Sequence, residues 1–384
     1  MARPYSTSWP PSRANMTLLV GCDSCGTSAL AEALGEFRGA LLPSGDEGGP
    51  SYFSAEDRYT RGSAWYHSHY SLPSRAATLI DASRGMLIAP FAASRAHATL
   101  ARPWNHKVVV VLRDPTALAW VLWRELSALP TSGASLGALL RPYLHPRNFS
   151  AKAAAEAGAL ERCLADGSGG AGGKNGGGSS SSGASSSTSV TSESWQRCIA
   201  VGCGWPNCVV GAGMYAPQLR AWRQAYSPSQ LTVLMLSDLH GEGAAATLQK
   251  ILHAIGLPSP RLHPDRHAAL LLRASSRVAE RARDATAAAD GLPPEAARLL
   301  SSFYGRFAGS VRRELELMRQ PLHQWRSREP WLWADGESAL VATGSSGRRR
   351  RGGRQQQFTS STVPLPLVRS PAAATISMDG DDDG

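Results

Sequence analysis

The chain has 384 residues, with 40 Lys plus Arg against 30 Asp plus Glu, a formal charge of +10. At about 100–200 residues per domain this length accommodates two domains or one large enzyme fold, and 42% hydrophobic residues are enough for a core. That composition excludes collagen, coiled coil and a wholly disordered chain. Five of the positive charges, Arg348, Arg349, Arg350, Arg351 and Arg354, stand in one low-complexity stretch, and without them the balance falls to +5. The cluster reads as a solvated basic tail, so the body does not read as a binder of specific nucleic acid. No apolar run reaches the length of about 18 residues that a bilayer-spanning helix needs, so no transmembrane segment is expected in this chain. Residues 1–12 lack the apolar core of a targeting segment; the chain is not exported by this route, or its anchor lies upstream.

In chain order, residues 17–21 (TLLVG) form a short apolar run suited to a buried strand. A turn, Cys22-Asp23-Ser24-Cys25-Gly26, follows, and then a helical pattern with Leu30, Ala33, Leu34 and Phe37 on one face. Strand, Gly-containing turn and helix are the first unit of an α/β domain. Residues 46–50 read as a loop, and an aromatic-rich segment carries Tyr52, Phe53, Tyr59, Trp65, Tyr66 and Tyr70. Residues 77–81 (ATLID) form a weaker second strand. KVVVVL at 107–112 is the clearest strand, because its valines favour extended backbone and its unbroken apolar run suits a sheet covered on both faces. Arg113-Asp114-Pro115 ends it and a helix spans about 116–129, with proline tolerated in the first turn. Residues 231–236 (LTVLML) are another buried strand and 245–255 another helix. Strands separated by helices imply a largely parallel, doubly covered sheet.

Residues 166–194 are almost all Gly, Ser, Ala and Thr and read as a flexible insertion within one domain. Residues 343–384 read as a disordered low-complexity tail. Cys163, Cys198, Cys203 and Cys208 can pair in an oxidising compartment. The wide, even spacing of the last three does not suit zinc, whose ligand pairs stand about two to four residues apart, so no metal is expected. Asn15-Met16-Thr17 and Asn148-Phe149-Ser150 are glycosylation acceptors only in a secreted chain.

The stretch GCDSCGTSAL, residues 21–30, carries chemistry. A turn feeding a helix aims unpaired N–H groups at one point beside the positive end of the helix dipole, a site for a phosphate. Gly26 permits close approach, and Thr27 and Ser28 supply hydroxyls. The Walker A spacing and its lysine are absent. Arg113, at the C-terminal end of the central strand, can grip a second phosphate. The blander readings are an ordinary capped turn and local capping by the Arg113–Asp114 pair.

GCDSCGTSAL resembles the 5'-phosphosulfate-binding loop of sulfotransferases that use the donor PAPS, nearest to the Golgi carbohydrate branch. The resemblance gives PAPS as co-substrate and Ser24, Cys25, Gly26, Thr27 and Ser28 as its loop; Ser24 stands where the family has a lysine. KVVVVLRDPTALAWVLW is similar to the family's second signature, which implies that Arg113 binds the 3'-phosphate; Val121 stands where a partner serine is usual. Tyr59, Gly62, Trp65 and Tyr66 match an aromatic segment before which the family has a glutamate base. Gly49 occupies that position, with Glu47, His67 and His69 as alternatives. Asp81 and Ser83 match part of a third motif, in which Ala82 replaces a lysine. Gly213, Tyr215, Leu219, Trp222, Gln230, Leu231 and Gly256 match fold-defining positions of a late helix and strand, and residues 303–315 resemble a closing helix.

The resemblance therefore implies an α/β, P-loop-like three-layer fold with a central mostly parallel sheet flanked by helices. It divides the chain into an extension at 1–16, a sulfotransferase-like domain at 17–342 and the tail. It implies sulfuryl transfer from PAPS to a hydroxyl of a glycan, without a metal, in the Golgi lumen or secretory pathway, with disulfides in the second half of the chain. The alternative is an inactive sulfotransferase-like scaffold or glycan-binding protein, because Ser24, Gly49, Ala82 and Val121 fall at four functional positions.

Overall fold

The computed structural model describes residues 15–22, 24–45, 48–71, 78–100, 105–129, 148–168, 192–202, 208–240, 243–257 and 264–334. Strand β1 (Asn15–Gly21) is buried along all but its first residue and leads through a five-residue turn to helix α1 (Thr27–Gly35). After α1 come the short strand β2 (Ala40–Leu41), helices α2 (Glu56–Tyr59) and α3 (Gly62–Ser68), strand β3 (Thr78–Asp81) and helix α4 (Ala92–Thr99). Strand β4 (Lys107–Leu112) leads to α5 (Pro115–Ala128), where Asp114 caps the helix by accepting from Thr116 N (2.7 Å) and Ala117 N (3.3 Å). Helices α6 (Phe149–Ser168), α7 (Ser192–Gly202) and α8 (Tyr215–Ala225) precede β5 (Leu231–Met235), and α9 (Ala244–Ala254), α10 (Pro264–Ala287) and α11 (Pro294–Leu317) follow it.

All five strands are parallel, in the order β2-β3-β1-β4-β5. Thr17 to Gly21 of β1 lie opposite Lys107 to Val111 of β4, and Val108 to Leu112 opposite Leu231 to Met235 of β5. The helices pack in two groups: α1 with α9 and α10, and α11 with α5, α6 and α8. Right-handed crossovers from a strand order that reverses beside β1 place these groups on opposite faces. Leu18, Leu19 and Val20 of β1 and Val108 to Leu112 of β4 are buried, which is why both strands read as unbroken apolar runs. Each such side chain contributes about 1.5–3 kcal/mol by leaving water.

The sheet is the expected mixed α/β one, flanked by helices. The expected α1 face is buried at Leu30, Ala33 and Leu34, but the helix ends at Gly35 and Phe37 reaches the core from the following turn. β2 pairs through two residues only and has no periodicity to announce it. Helices α6 and α7 run to Ser168 and start at Ser192, so they reach into both ends of the Gly/Ser-rich stretch, whose residues 169–191 lie outside the described residues. The tail at 343–384 and most of the 1–16 extension also lie outside them, and Asn15 and Met16 already belong to β1. Among the described residues no helix is long and apolar enough to cross a membrane.

Candidate functional site

The reversal of strand order leaves the C-terminal ends of β1 and β4 side by side while their chains depart to opposite faces, the place where open α/β sheets bind ligands. Two sequence-expected groups meet there. The turn after β1 is closed by the hydrogen bond from Cys25 N to Cys22 O (3.2 Å) and by a disulfide between these cysteines, whose Cα atoms are 5.3 Å apart. Gly26 takes φ 83°, and a Cβ there would stand 3.2 Å from Leu236, so the turn needs glycine on both counts. No side chain caps α1 and its first turn holds no acidic residue, so its leading N–H groups are left for another acceptor.

Arg113 is the second group, and its side chain crosses to this turn. It is 4% exposed, with Nη1 donating to Ser24 O (2.9 Å) and Nη2 donating to Ala285 O of α10 (2.9 Å). Its Nε is buried without a partner. Burial lowers the guanidinium's pKa from its ordinary value, partly offset by Tyr215, Asp114 and Glu125. Tyr215 fixes the strand end from behind by donating to Arg113 O (2.9 Å). The orphaned Nε and the uncapped turn of α1 both suit an anionic group such as a phosphate.

Ser24 works against that fit. It holds a left-handed φ of 57° and its hydroxyl donates to the Glu125 carboxylate of α5. The position where the resemblance calls for a lysine thus pairs with an acid. Thr27 and Ser28 are half-buried beside the turn. Val121 is buried in α5 and offers no hydrogen bond, and Ala82 is buried, its N–H donating to Gly48 O (2.7 Å).

The expected bases fare differently. Gly49 has φ 151°, and a Cβ on it would stand 2.5 Å from both Asp81 Oδ1 and Ser83 Oγ. Asp81 is fully buried and accepts from Tyr66 OH (2.8 Å), Ser83 N (2.8 Å) and Ser83 Oγ (2.5 Å), while Ser83 Oγ accepts from Ser51 N (2.8 Å). Burial raises the Asp81 pKa, and these hydrogen bonds oppose the rise. Asp81 and Ser83 therefore pin the loop at 49–51, and no side chain at position 49 reaches a substrate. Glu47 lies outside the described residues. His67 is buried and its pKa is pushed down to about 4, so it is neutral at pH 7. His69 lies edge-on to Trp65 with Nδ1 2.9 Å from Trp65 O. Tyr52, Phe53 and Tyr66 pack ring against ring in the core.

A cavity of about 610 Å³ opens beside the turn. Cys22, Asp57, Arg58, Arg84 and Glu125 line it, and aliphatic side chains at 87–88, 122, 126, 129, 209 and 212 make up much of the wall. Neither His67, His69 nor the aromatic rings line it. Sequence reasoning missed Glu125, which lies in no motif, and the Ala285 carbonyl, a backbone group with no residue signature. It also missed the Cys22–Cys25 disulfide, for which the Cys-x-x-Cys spacing was the available signal. Of the four later cysteines, Cys163 and Cys198 pair (Cα atoms 5.6 Å apart), Cys208 is also disulfide-bonded, and Cys203 lies outside the described residues. Among the described residues no group of three or more His, Cys, Asp or Glu could hold a metal ion.

No protein-family model matches the chain, and no curated protein matches it. Among solved structures the chain is similar to a sulfotransferase from Alicyclobacillus acidocaldarius, with 16% identity and a TM-score of 0.43, over 82% of this chain and 100% of that one. This is a weak, partial structural resemblance to a sulfotransferase fold.

Proposed function

We propose that the protein binds PAPS at the β1–α1 turn and transfers its sulfuryl group to the hydroxyl of an acceptor held in the adjoining cavity. The observation that carries this reading is the meeting of an uncapped helix N-terminus with a buried, incompletely bonded arginine at the strand-order reversal. PAPS supplies an activated sulfuryl group when bound. The backbone N–H groups of Gly26, Thr27 and Ser28 hold the 5'-phosphosulfate, with Ser24 and Cys25 shaping the edge of the loop, and Arg113 holds the 3'-phosphate. Glu125, the carboxylate that both lines the cavity and touches the turn, takes the acceptor hydroxyl's proton. With no lysine in the loop, charge stabilisation is weak and turnover is expected to be slow. The Cys163–Cys198 disulfide supports an oxidising compartment such as the secretory lumen that the resemblance implies.

A second reading is a binding protein without turnover. It is favoured by the Ser24–Glu125 pair, which places negative charge beside the anion turn, and by the bond from Arg113 to Ala285, which occupies part of the guanidinium.

Calorimetric titration with PAP, the desulfated product, separates them from a scaffold with no nucleotide site. Micromolar binding is expected, with loss in Arg113→Ala. In Ser24→Lys a new ammonium gives a charge-assisted hydrogen bond, and affinity rises about tenfold. Absence of PAP binding in folded wild-type and Ser24→Lys protein overturns the nucleotide reading; binding of PAP without any turnover of PAPS leaves the second reading standing.

A further inference from the structure

The cavity beside the turn has a wall chemistry that selects among acceptors. Leu122 and Leu126 of α5 and Leu129 just beyond it face it together with Leu87, Ile88 and Val209. A sugar presents hydroxyls around its whole ring, and each one pressed against aliphatic carbon without a partner costs about 1–3 kcal/mol. Sugar sites commonly offset this with an aromatic face for the ring, but Tyr52, Phe53 and Tyr66 are buried among themselves and do not line this cavity. The neutral polar lining is Ser51, Ser54 and Gln218, with Ser54 Oγ already donating to Arg84 O (2.9 Å) and Gln218 Nε2 to Ala212 O (3.0 Å), and the charged lining balances: Arg58 and Arg84 face the cavity with Asp57 and Glu125. Such a lining has no net field to gather a polyanionic glycan. At about 610 Å³ the space is that of a small-molecule site.

We infer that this cavity binds an uncharged, largely apolar alcohol of small-molecule size, its body against the aliphatic wall and its hydroxyl beside Glu125. As an acceptor assignment this rests on the sulfuryl-transfer reading; as a binding site it stands on the wall chemistry alone. On transfer, the acceptor oxygen forms a bond to sulfur as the bond from sulfur to the bridging oxygen of PAPS breaks; PAP leaves and the hydroxyl proton passes to Glu125.

The test uses the full chain and three probes: 2-naphthol, an uncharged fluorescent alcohol; a chondroitin tetrasaccharide; and PAP. Wild-type protein binds 2-naphthol and does not bind the tetrasaccharide. Leu126→Arg and Leu129→Arg each place a charge at a half-buried position of the wall and weaken 2-naphthol binding at least tenfold, with melting temperature and PAP affinity unchanged. Unaltered 2-naphthol binding in both variants, or tetrasaccharide binding that either variant abolishes, overturns the assignment. PAP binding without 2-naphthol binding defeats the cavity assignment alone. 2-Naphthol binding without PAP binding defeats the sulfuryl-transfer reading and leaves the cavity site intact.

Discussion

Ser24 changes the anion turn in two ways. It supplies no positive charge, and it recruits Glu125, so the nearest charged side chain on that side is an acid. Its left-handed φ also costs of order 1 kcal/mol for a residue with a side chain, a strain of the kind that collects where a site constrains the backbone. Gly49 is equally specific in the opposite sense, because Asp81 and Ser83 fill the space a side chain would need. His67 gives a testable pH effect. Its folded pKa of about 4 lies below the ordinary value of about 6.5, so the unfolded chain binds the extra proton between those limits. The neutral ring's contribution is whole above pH 6.5 and is lost as pH falls towards 4. The buried acids Asp81, Asp114, Glu156 and Glu329, with raised pKa values, act in the other direction, so the wild-type profile alone does not isolate it. The gap in unfolding free energy between wild type and His67→Gln, followed by urea denaturation, is expected to narrow from pH 7 to pH 4.5; a constant gap contradicts the assignment.

At the scale of elements, β1, β4, β5, α1, α5 and α9 were legible because each buries a run or a stripe of apolar side chains long enough to show its period. The two-residue β2 has no such run. Helix α11 is tied to α8 by Glu314, which accepts from Arg220 Nε and Arg223 Nε (2.8 Å each), a partnership across the chain that no local spacing reveals. The Cys163–Cys198 disulfide joins α6 to α7 across 35 residues of sequence. Closing a loop of that length is worth about 3–4 kcal/mol through the unfolded chain. The double variant Cys163→Ala, Cys198→Ala is expected to lose that much in denaturant titration, and a loss under about 1 kcal/mol counts against a bond that constrains the unfolded chain.

For the whole molecule, the site exists because the strand order reverses beside β1. The order brings the turn after residue 21 and the arginine at 113 to one crevice, and α10 adds a carbonyl from residue 285. The chain divides after Thr343, and its second unit, Gly344–Gly384, lies outside the described residues. Its low-complexity composition offers little apolar surface to a core, so a chain ending at Thr343 is expected to keep the melting temperature and the PAP affinity of the full chain. A lower melting temperature would mean that the basic tail stabilises the domain.

What the sequence determined by itself was local: apolar runs that make a parallel α/β sheet, a Gly-containing turn feeding a helix, an arginine at a strand end, and the absence of a loop lysine. These are properties of neighbouring residues, where backbone preference and hydrophobic period act directly. Only the tertiary structure decided that Arg113 spends two donors on carbonyls, that Ser24 meets Glu125, that position 49 is filled from Asp81 and Ser83, and that the cavity wall is aliphatic. Each of these depends on which distant segments the sheet order and helix packing bring within a few ångströms, and hydrogen bonds and desolvation act only at that range.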